Sequence, residues 1–266
     1  MPGLSAPLPP VAPAWLAELL GDGVVVWGPE ELAQLRGLPA PAPGGGGEGW
    51  VAAHRRTALN RQRRRPSLHQ PDGEQLWAGV DEAGRGPLAG PLVACAVVAG
   101  RLGLELDDSK KLSPSQRQRL WVQVLANCRD VRVAICPPVL VDAMNVQRAC
   151  LHTMARAVQA LREPYRCLWV DGQFPLPLPA STQQRALVGA DGRVACVAAA
   201  SIVAKVVRDT IMAALDLCFP GYGFARHKGY PTPEHVRQLA RLGPSPIHRR
   251  SFRWGSESGR REAAMQ

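Results

Sequence analysis

Residues 80–91 read V-D-E-A-G-R-G-P-L-A-G-P, and no other stretch constrains the chain as much. The apolar run 76–80 ends on two adjacent acids, Asp81 and Glu82. An apolar run that ends in carboxylates reads as a buried strand delivering charge to the rim of a sheet. Gly84, Arg85, Gly86 and Pro87 follow. Glycine carries no side chain, so backbone in such a turn can approach a ligand closely. Carboxylates beside exposed amides and an arginine suit a metal ion and a phosphate. A strand ending in an ordinary surface turn has the same pattern.

The rest of the chain supplies the frame. Residues 92–99 read as a second buried strand, and the short connection from 80 predicts a hairpin with the acids near its bend. Ser113-Pro114 is helix-start chemistry, and the helix runs to about residue 127. Residues 131–136 read as a third strand, stopped by two prolines. Apolar spacing predicts one long helix over 139–161. Short strands at 168–170 and 186–188 end on Asp171-Gly172 and lead to Gly189-Ala190-Asp191. Residues 194–217 form an alanine-rich helix suited to close packing on a sheet. Residues 219–231 read as a loop rich in glycine and aromatics, and a final helix covers 232–242. The fold class is α/β.

Composition places the partner. The net charge is +10. Seven of the 32 basic residues and seven of the 22 acids fall in 1–76, so the basic surplus lies in 77–266, with the acidic motif. Such a balance favours an acidic polymer, nucleic acid first. Seven cysteines are scattered without a C-x-x-C pair, which predicts buried free thiols in a reducing compartment and no structural zinc. No apolar run is long enough to cross a membrane, and the first residues lack a basic region followed by a long apolar one, which predicts no secretory signal. Residues 1–75 read as a low-complexity, poorly ordered extension with a glycine linker at 44–47 and six arginines in 54–65. A nucleic-acid tether is the sharper reading of those arginines. Residues 76–254 read as the main domain, and 255–266 as a flexible tail.

Asp81, Glu82, Asp171 and Asp191 all stand where strands end or helices begin. Strands of one sheet can bring them together. Clustered carboxylates repel and are costly to bury, and divalent metal relieves that cost. Oxygen ligands without His or Cys favour Mg²⁺ or Mn²⁺, and two such ions support in-line phosphoryl transfer. Taken singly, each acid is more often a loop cap or a surface charge. Lys110 and Lys111 are either solvated or phosphate-contacting. Lys205, in an apolar helix, either snorkels or reaches into a site. Tyr230 and His227 are packing groups, or Tyr230 stacks on a sugar or base.

Together these motifs resemble the type 2 ribonucleases H, the ribonuclease HII family, bacterial type. The resemblance spans about 76–254. It rests on D-E-A-G-R-G-P-L-A-G-P at 81–91, D-S-K-K-L at 108–112, V-D-G at 170–172 and A-A-S-I-V-A-K at 199–205. It continues through R-D at 208–209, G-Y-G-F at 221–224, H-K-G-Y at 227–230 and H-R-R-S-F at 248–252. It implies a ribonuclease H-like fold, a mixed five-stranded sheet flanked by helices with a helical C-terminal segment. It implies metal-dependent hydrolysis, with Mg²⁺ or Mn²⁺, of RNA in RNA–DNA hybrids and at ribonucleotides embedded in duplex DNA, leaving 5′-phosphate and 3′-hydroxyl ends.

By motif, the resemblance makes Asp81, Glu82, Asp171 and Asp191 the catalytic and metal-binding acids. Gly84, Arg85 and Gly86 match the turn that senses the 2′-hydroxyl at the RNA–DNA junction. Tyr230 matches the tyrosine that stacks on the sugar on the DNA side. Lys110 and Lys205 fall in motifs where phosphate or active-site contacts are expected. Gln173 departs from the family's usual asparagine. A monomeric, cytoplasmic protein is the family default. Another nuclease on the same fold, a non-catalytic hybrid-binding protein and a basic structural protein are the rival readings.

Overall fold

The computed structural model describes residues 14–19, 21, 23–35, 68–72, 74–102, 106 and 113–254. Lys110, Lys111, the glycine linker, the arginine-rich 54–65 stretch and the 255–266 tail lie outside the described residues. The elements in order are α1 (Ala14–Leu19), β1 (Val25–Trp27), α2 (Pro29–Gln34), β2 (Trp77–Ala83), β3 (Leu92–Ala99), α3 (Pro114–Asn127) and β4 (Asp130–Cys136). Then follow α4 (Pro138–Met144), α5 (Val146–Gln159), β5 (Cys167–Asp171), β6 (Gln184–Leu187), α6 (Ala195–Cys218), α7 (Phe224–His227) and α8 (Pro233–Leu242).

The strands form one mixed sheet in the order β1-β4-β3-β2-β5-β6. β2, β3 and β4 form an antiparallel meander, while β5 and β6 run parallel to β2. Central β3 is buried on both faces. Val93, Cys95 and Val97 pack with α6 and with Trp121 and Val124 of α3. Leu92, Ala94 and Ala96 pack with Cys150, Met154 and Val158 of α5. Helices therefore cover both sides of the sheet, as burial of both faces requires.

Three features differ from the sequence expectation. The sheet has six strands, because β1 pairs antiparallel with β4, with Val25 opposite Ile135. Part of the region assigned to an extension thus joins the fold, and Trp27 and Leu32 are buried there. Three strand residues within a proline-rich composition are too few to read by periodicity. Second, the single helix predicted over 139–161 is two, α4 and α5. Asn145 lies between them at φ 66° and accepts a hydrogen bond at Oδ1 from the Arg148 N–H. Asparagine tolerates the left-handed region and caps the following helix, so the chain turns there although apolar residues continue on both sides. Third, the 219–231 loop contains the short helix α7.

Helix α3 starts as expected: Ser113 Oγ accepts from the Gln116 N–H, and Gln116 Oε1 accepts from the Ser113 N–H. The seven cysteines are free thiols. Among the described residues no helix is long and apolar enough to cross a membrane.

Gly79 sets the distance between α6 and β2. A Cβ there would stand 2.4 Å from the carbonyl carbon of Cys196 and 2.5 Å from the Val197 nitrogen. Both are backbone atoms, so relief requires the helix to move. Gly79→Ala should cost about 3 kcal/mol and lower Tm by roughly 6–12 °C in thermal unfolding.

Candidate active site

The parallel register of β2 and β5 pairs Val80 with Val170, so Asp81 and Asp171 leave the same sheet edge side by side. One ligand oxygen from each of Asp81, Glu82 and Asp171 lies within 4.8 Å of the others. Asp81 is 4% exposed and receives the Glu82 N–H at 2.7 Å. Burial raises its carboxyl well above the ordinary carboxylate range, and the charges of Glu82 and Asp171 raise it further. Ser201 of α6 and the Glu82 amide oppose that shift by hydrogen bonding. Three carboxylate oxygens this close, one of them destabilised as an anion, are a donor set that fits a hard divalent cation.

Asp191 is buried in a 3₁₀ turn, Ala190–Gly192, just before α6. It stands outside the group of three. The turn is nevertheless tied to that group, because the Ala190 N–H donates to Asp171 Oδ1 at 2.8 Å. A cleft of about 250 Å³ opens beside the acids, lined among others by Glu82, Arg85, Gln147, Asp171, Gln173 and Phe174. Two larger depressions, about 380 and 670 Å³, lie around His69 and contain none of the three clustered acids.

The glycine turn is held from beneath by two buried arginines. Arg249, 1% exposed, donates from Nη2 to the carbonyls of Gly84 (2.6 Å) and Gly90 (3.0 Å), and from Nη1 to that of Arg85 (3.0 Å). Arg208 of α6 donates from Nε to the Pro91 carbonyl at 3.0 Å and from Nη2 to that of Ala89 at 3.2 Å. Burial and the neighbouring Arg208 push Arg249 down to about 9, which leaves it charged at neutral pH. Gly84 sits at φ 96°, and a Cβ there would fall 2.1 Å from Arg208 Nε. The glycine therefore serves both conformation and close approach. Arg85 itself is exposed and donates to Gln147 Oε1, at the start of α5.

Tyr230 lies on the other side of this turn. The residue is 41% exposed, and a Cβ on Gly86 would stand 3.9 Å from its ring. Lys205 Nζ lies 6.0 Å from the ring centroid and pairs with Asp209 at 2.7 Å. Lys205 is thus directed along α6 towards Tyr230. The basic C-terminal segment divides between interior and surface. His248 and Arg249 are buried, while Arg250 and Arg253 are exposed. Residue type alone does not separate an arginine that meets solvent from one that caps carbonyls. Gln147, Ser201, Arg208 and Arg249 were missed as site-supporting residues. Only Arg208, in an apolar helix, carried a signal that could have found it.

The ribonuclease HII family model matches residues 78–254. The chain belongs to the ribonuclease HII family. It is similar to a ribonuclease HII of Geobacter sulfurreducens, 46% identical over 184 residues, covering 68% of this chain and 83% of that protein. Over 219 residues it is 45% identical to a ribonuclease HII of Xanthobacter autotrophicus, covering 82% of this chain and 83% of that one. Among solved structures it resembles the ribonuclease H2 of Pyrococcus horikoshii, with TM-score 0.60 and 28% identity, covering 72% of this chain and 98% of the other. It also resembles the ribonuclease HII of Archaeoglobus fulgidus, solved in complex with PCNA, with TM-score 0.58 and 26% identity, covering 68% of this chain and 97% of the other. The family match begins at residue 78, one residue into β2, and so leaves out α1, β1 and α2.

Two consequences can be measured. Because the folded Asp81 carboxyl is raised, the stability it contributes is present below the ordinary carboxylate range and is lost as pH rises through the folded value. In chelator at pH 8, Asp81→Asn should therefore unfold at a higher temperature than wild type, by roughly 2–4 °C for each kcal/mol recovered. That advantage should shrink towards pH 4. Arg249→Lys keeps a charge but loses the fork that reaches three carbonyls. It should cost about 3 kcal/mol, or roughly 6–12 °C in thermal unfolding.

Proposed function

We propose that this protein is an endoribonuclease that hydrolyses RNA in RNA–DNA hybrids and nicks duplex DNA 5′ to an embedded ribonucleotide. One observation carries the reading: Asp81, Glu82 and Asp171 meet at a sheet edge that the Gly84–Gly86 turn borders. In this reading Asp81, Glu82 and Asp171 hold divalent metal, Mg²⁺ or Mn²⁺, and Asp191 completes the set from the adjacent turn. Metal held there supplies Lewis acidity, which activates water as nucleophile and neutralises charge on the phosphoryl group.

The protein's own groups then orient the substrate. Gly84 and Gly86 let the backbone of the turn approach the ribose, and a 2′-hydroxyl distinguishes RNA from DNA at that point. Arg85, exposed and steadied by Gln147, reaches the backbone beside the cleft. Tyr230 offers an aromatic face to the sugar on the DNA side, with Lys205 and the exposed arginines supplying phosphate contacts. Lys110 belongs to the same phosphate-contacting set. These basic contacts weaken with salt. The products carry 5′-phosphate and 3′-hydroxyl ends. A monomer working in a reducing cytoplasm belongs to the same proposal and agrees with seven free thiols.

The test uses duplex DNA carrying one ribonucleotide, labelled on that strand, with Mg²⁺ or Mn²⁺. Wild type should nick 5′ to the ribonucleotide. Asp81→Asn should lose at least the about 10–100-fold that accompanies disturbance of a metal site's surroundings. Binding without cleavage by wild type in both metals would instead mark a hybrid-binding protein.

A further inference from the structure

Three buried histidines stand together behind the Tyr230 loop: His227 in α7, His235 in α8 and His248 in the C-terminal segment. The rings of His227 and His235 stack with centroids 4.3 Å apart, and those of His235 and His248 are 5.2 Å apart. Hydrogen-bond direction assigns every ring proton. The Ser245 N–H donates to His248 Nδ1 at 3.0 Å, so His248 carries its proton on Nε2. That proton faces His235 Nε2 at 3.0 Å, which must accept it. His235 is then protonated on Nδ1 and donates to the Tyr230 carbonyl at 2.9 Å. Beside this chain, His227 accepts the Gly229 N–H on Nδ1 and donates from Nε2 to the Tyr222 carbonyl.

Each ring is thereby neutral with one defined tautomer. Burial and the neighbouring histidine hold His235 near 4 and His248 near 3, so neutrality persists at physiological pH. Glu234, Asp216 and Arg226 face His227, and Arg250 faces His248. All six ring nitrogens are engaged, which leaves no lone pair for a metal ion.

We propose that His248 and His235 are positioning residues for the junction contact, acting through the main-chain carbonyl of Tyr230 to set where its ring meets the substrate. This rests on the reading of Tyr230 as the group that meets the sugar on the DNA side. Three observations support it. Tyr230 is 41% exposed and the cations over its ring stand 5.9 and 6.0 Å away, so its place is set chiefly through its backbone. That backbone is demanding, since Lys228 and Gly229 precede it at φ 53° and 81°. The Tyr230 carbonyl takes two donors, the Thr232 N–H at 2.7 Å and His235 Nδ1–H.

The origin of the relay is as telling as its end. His248 is bridged to Ala89, and the Leu88 N–H donates to the Gly229 carbonyl. Its neighbour Arg249 holds the carbonyls of Gly84, Arg85 and Gly90. One dipeptide thus fixes both the turn that meets the ribose and the loop that meets the deoxyribose. A hydrogen-bonded polar chain specifies one orientation, which apolar filling of the same space does not.

The experiment is a double-mutant cycle on cleavage of the single-ribonucleotide duplex, comparing wild type, Tyr230→Ala, His235→Leu and the double variant. Urea unfolding is run in parallel, and assays are kept where each variant is folded. Tyr230→Ala should lower kcat/KM by about 5- to 150-fold, the range carried by an aromatic stacking contact. His235→Leu should lower it within that range, and the double variant should be no worse than Tyr230→Ala although less stable. His235→Asn, whose amide nitrogen takes the place of Nδ1, should restore most of the rate. Multiplicative losses in the double variant would overturn the relay while leaving the Tyr230 reading intact. An unaffected Tyr230→Ala enzyme would remove both. Should His235→Leu not fold, imidazole nitrogen NMR of the wild-type protein at pH 7 decides. Nδ1–H on His235 with Nε2–H on His248 is expected, and any other pair of tautomers overturns the proposal.

Discussion

The close approach of α6 to β2 at Gly79 sets the site. With no side chain between them, helix and strand run in contact, and one stripe of α6 follows β2 and the loop beyond it. Val197 meets Gly79, Ser201 hydrogen-bonds Asp81, Arg208 lies against Gly84, and Met212 lies against Gly90 and Gly229. The spacings of four, seven and four residues are those of a single helix face. A helix displaced by one side chain's width would lose the Ser201 bond and the Arg208 bonds together. The alanine-rich composition of α6 serves the same approach, since bulky side chains on that stripe would hold the helix away.

Charge is segregated within this frame. The acids gather where β2 and β5 end in parallel, and burial makes Asp81 costly as an anion. The buried cations, Arg208 and Arg249, gather a few residues on, beneath the loop 84–91, where backbone carbonyls and not carboxylates receive them. Had these arginines paired with the acids, the carboxylate oxygens would be spent on guanidinium and the donor set for a cation lost. Feeding the arginines with carbonyls shapes the turn and leaves the acids to one another. The cost is a pair of buried guanidiniums, visible as the lowering of Arg249.

The acids were legible because their signal is local: a short apolar run, a carboxylate at its end, a glycine after it. Asp81, Glu82 and Asp171 each have that form, and a parallel register is enough to bring them together. Asp191 lacks it, since it follows β6 by a turn and meets the others through the amide of Ala190. The break at Asn145 was illegible because apolar spacing continues through both α4 and α5, and only a left-handed residue separates them. The two buried arginines were illegible in a different way. Their partners lie more than a hundred residues away in sequence and are backbone carbonyls, which leave no trace in residue type. β1 was hidden by its length and by the composition around it.

The spacing along α6 has a further consequence. The helix begins just after the Asp191 turn, reaches Asp81 through Ser201, and ends its contact with the site at Arg208 and Met212 near Tyr230. It therefore sets the distance between the acids and the loops that carry Gly84 and Tyr230. This single helix of 24 residues ties the acids to both loops. The C-terminal segment does the complementary work at the far end. His248 and Arg249 fasten the glycine turn and the Tyr230 loop to each other, and Asp142 of α4 fixes the next residues by accepting from the Arg250 and Ser251 amides. Helix α6 sets the length, and the C-terminal segment closes the end at which that length is read.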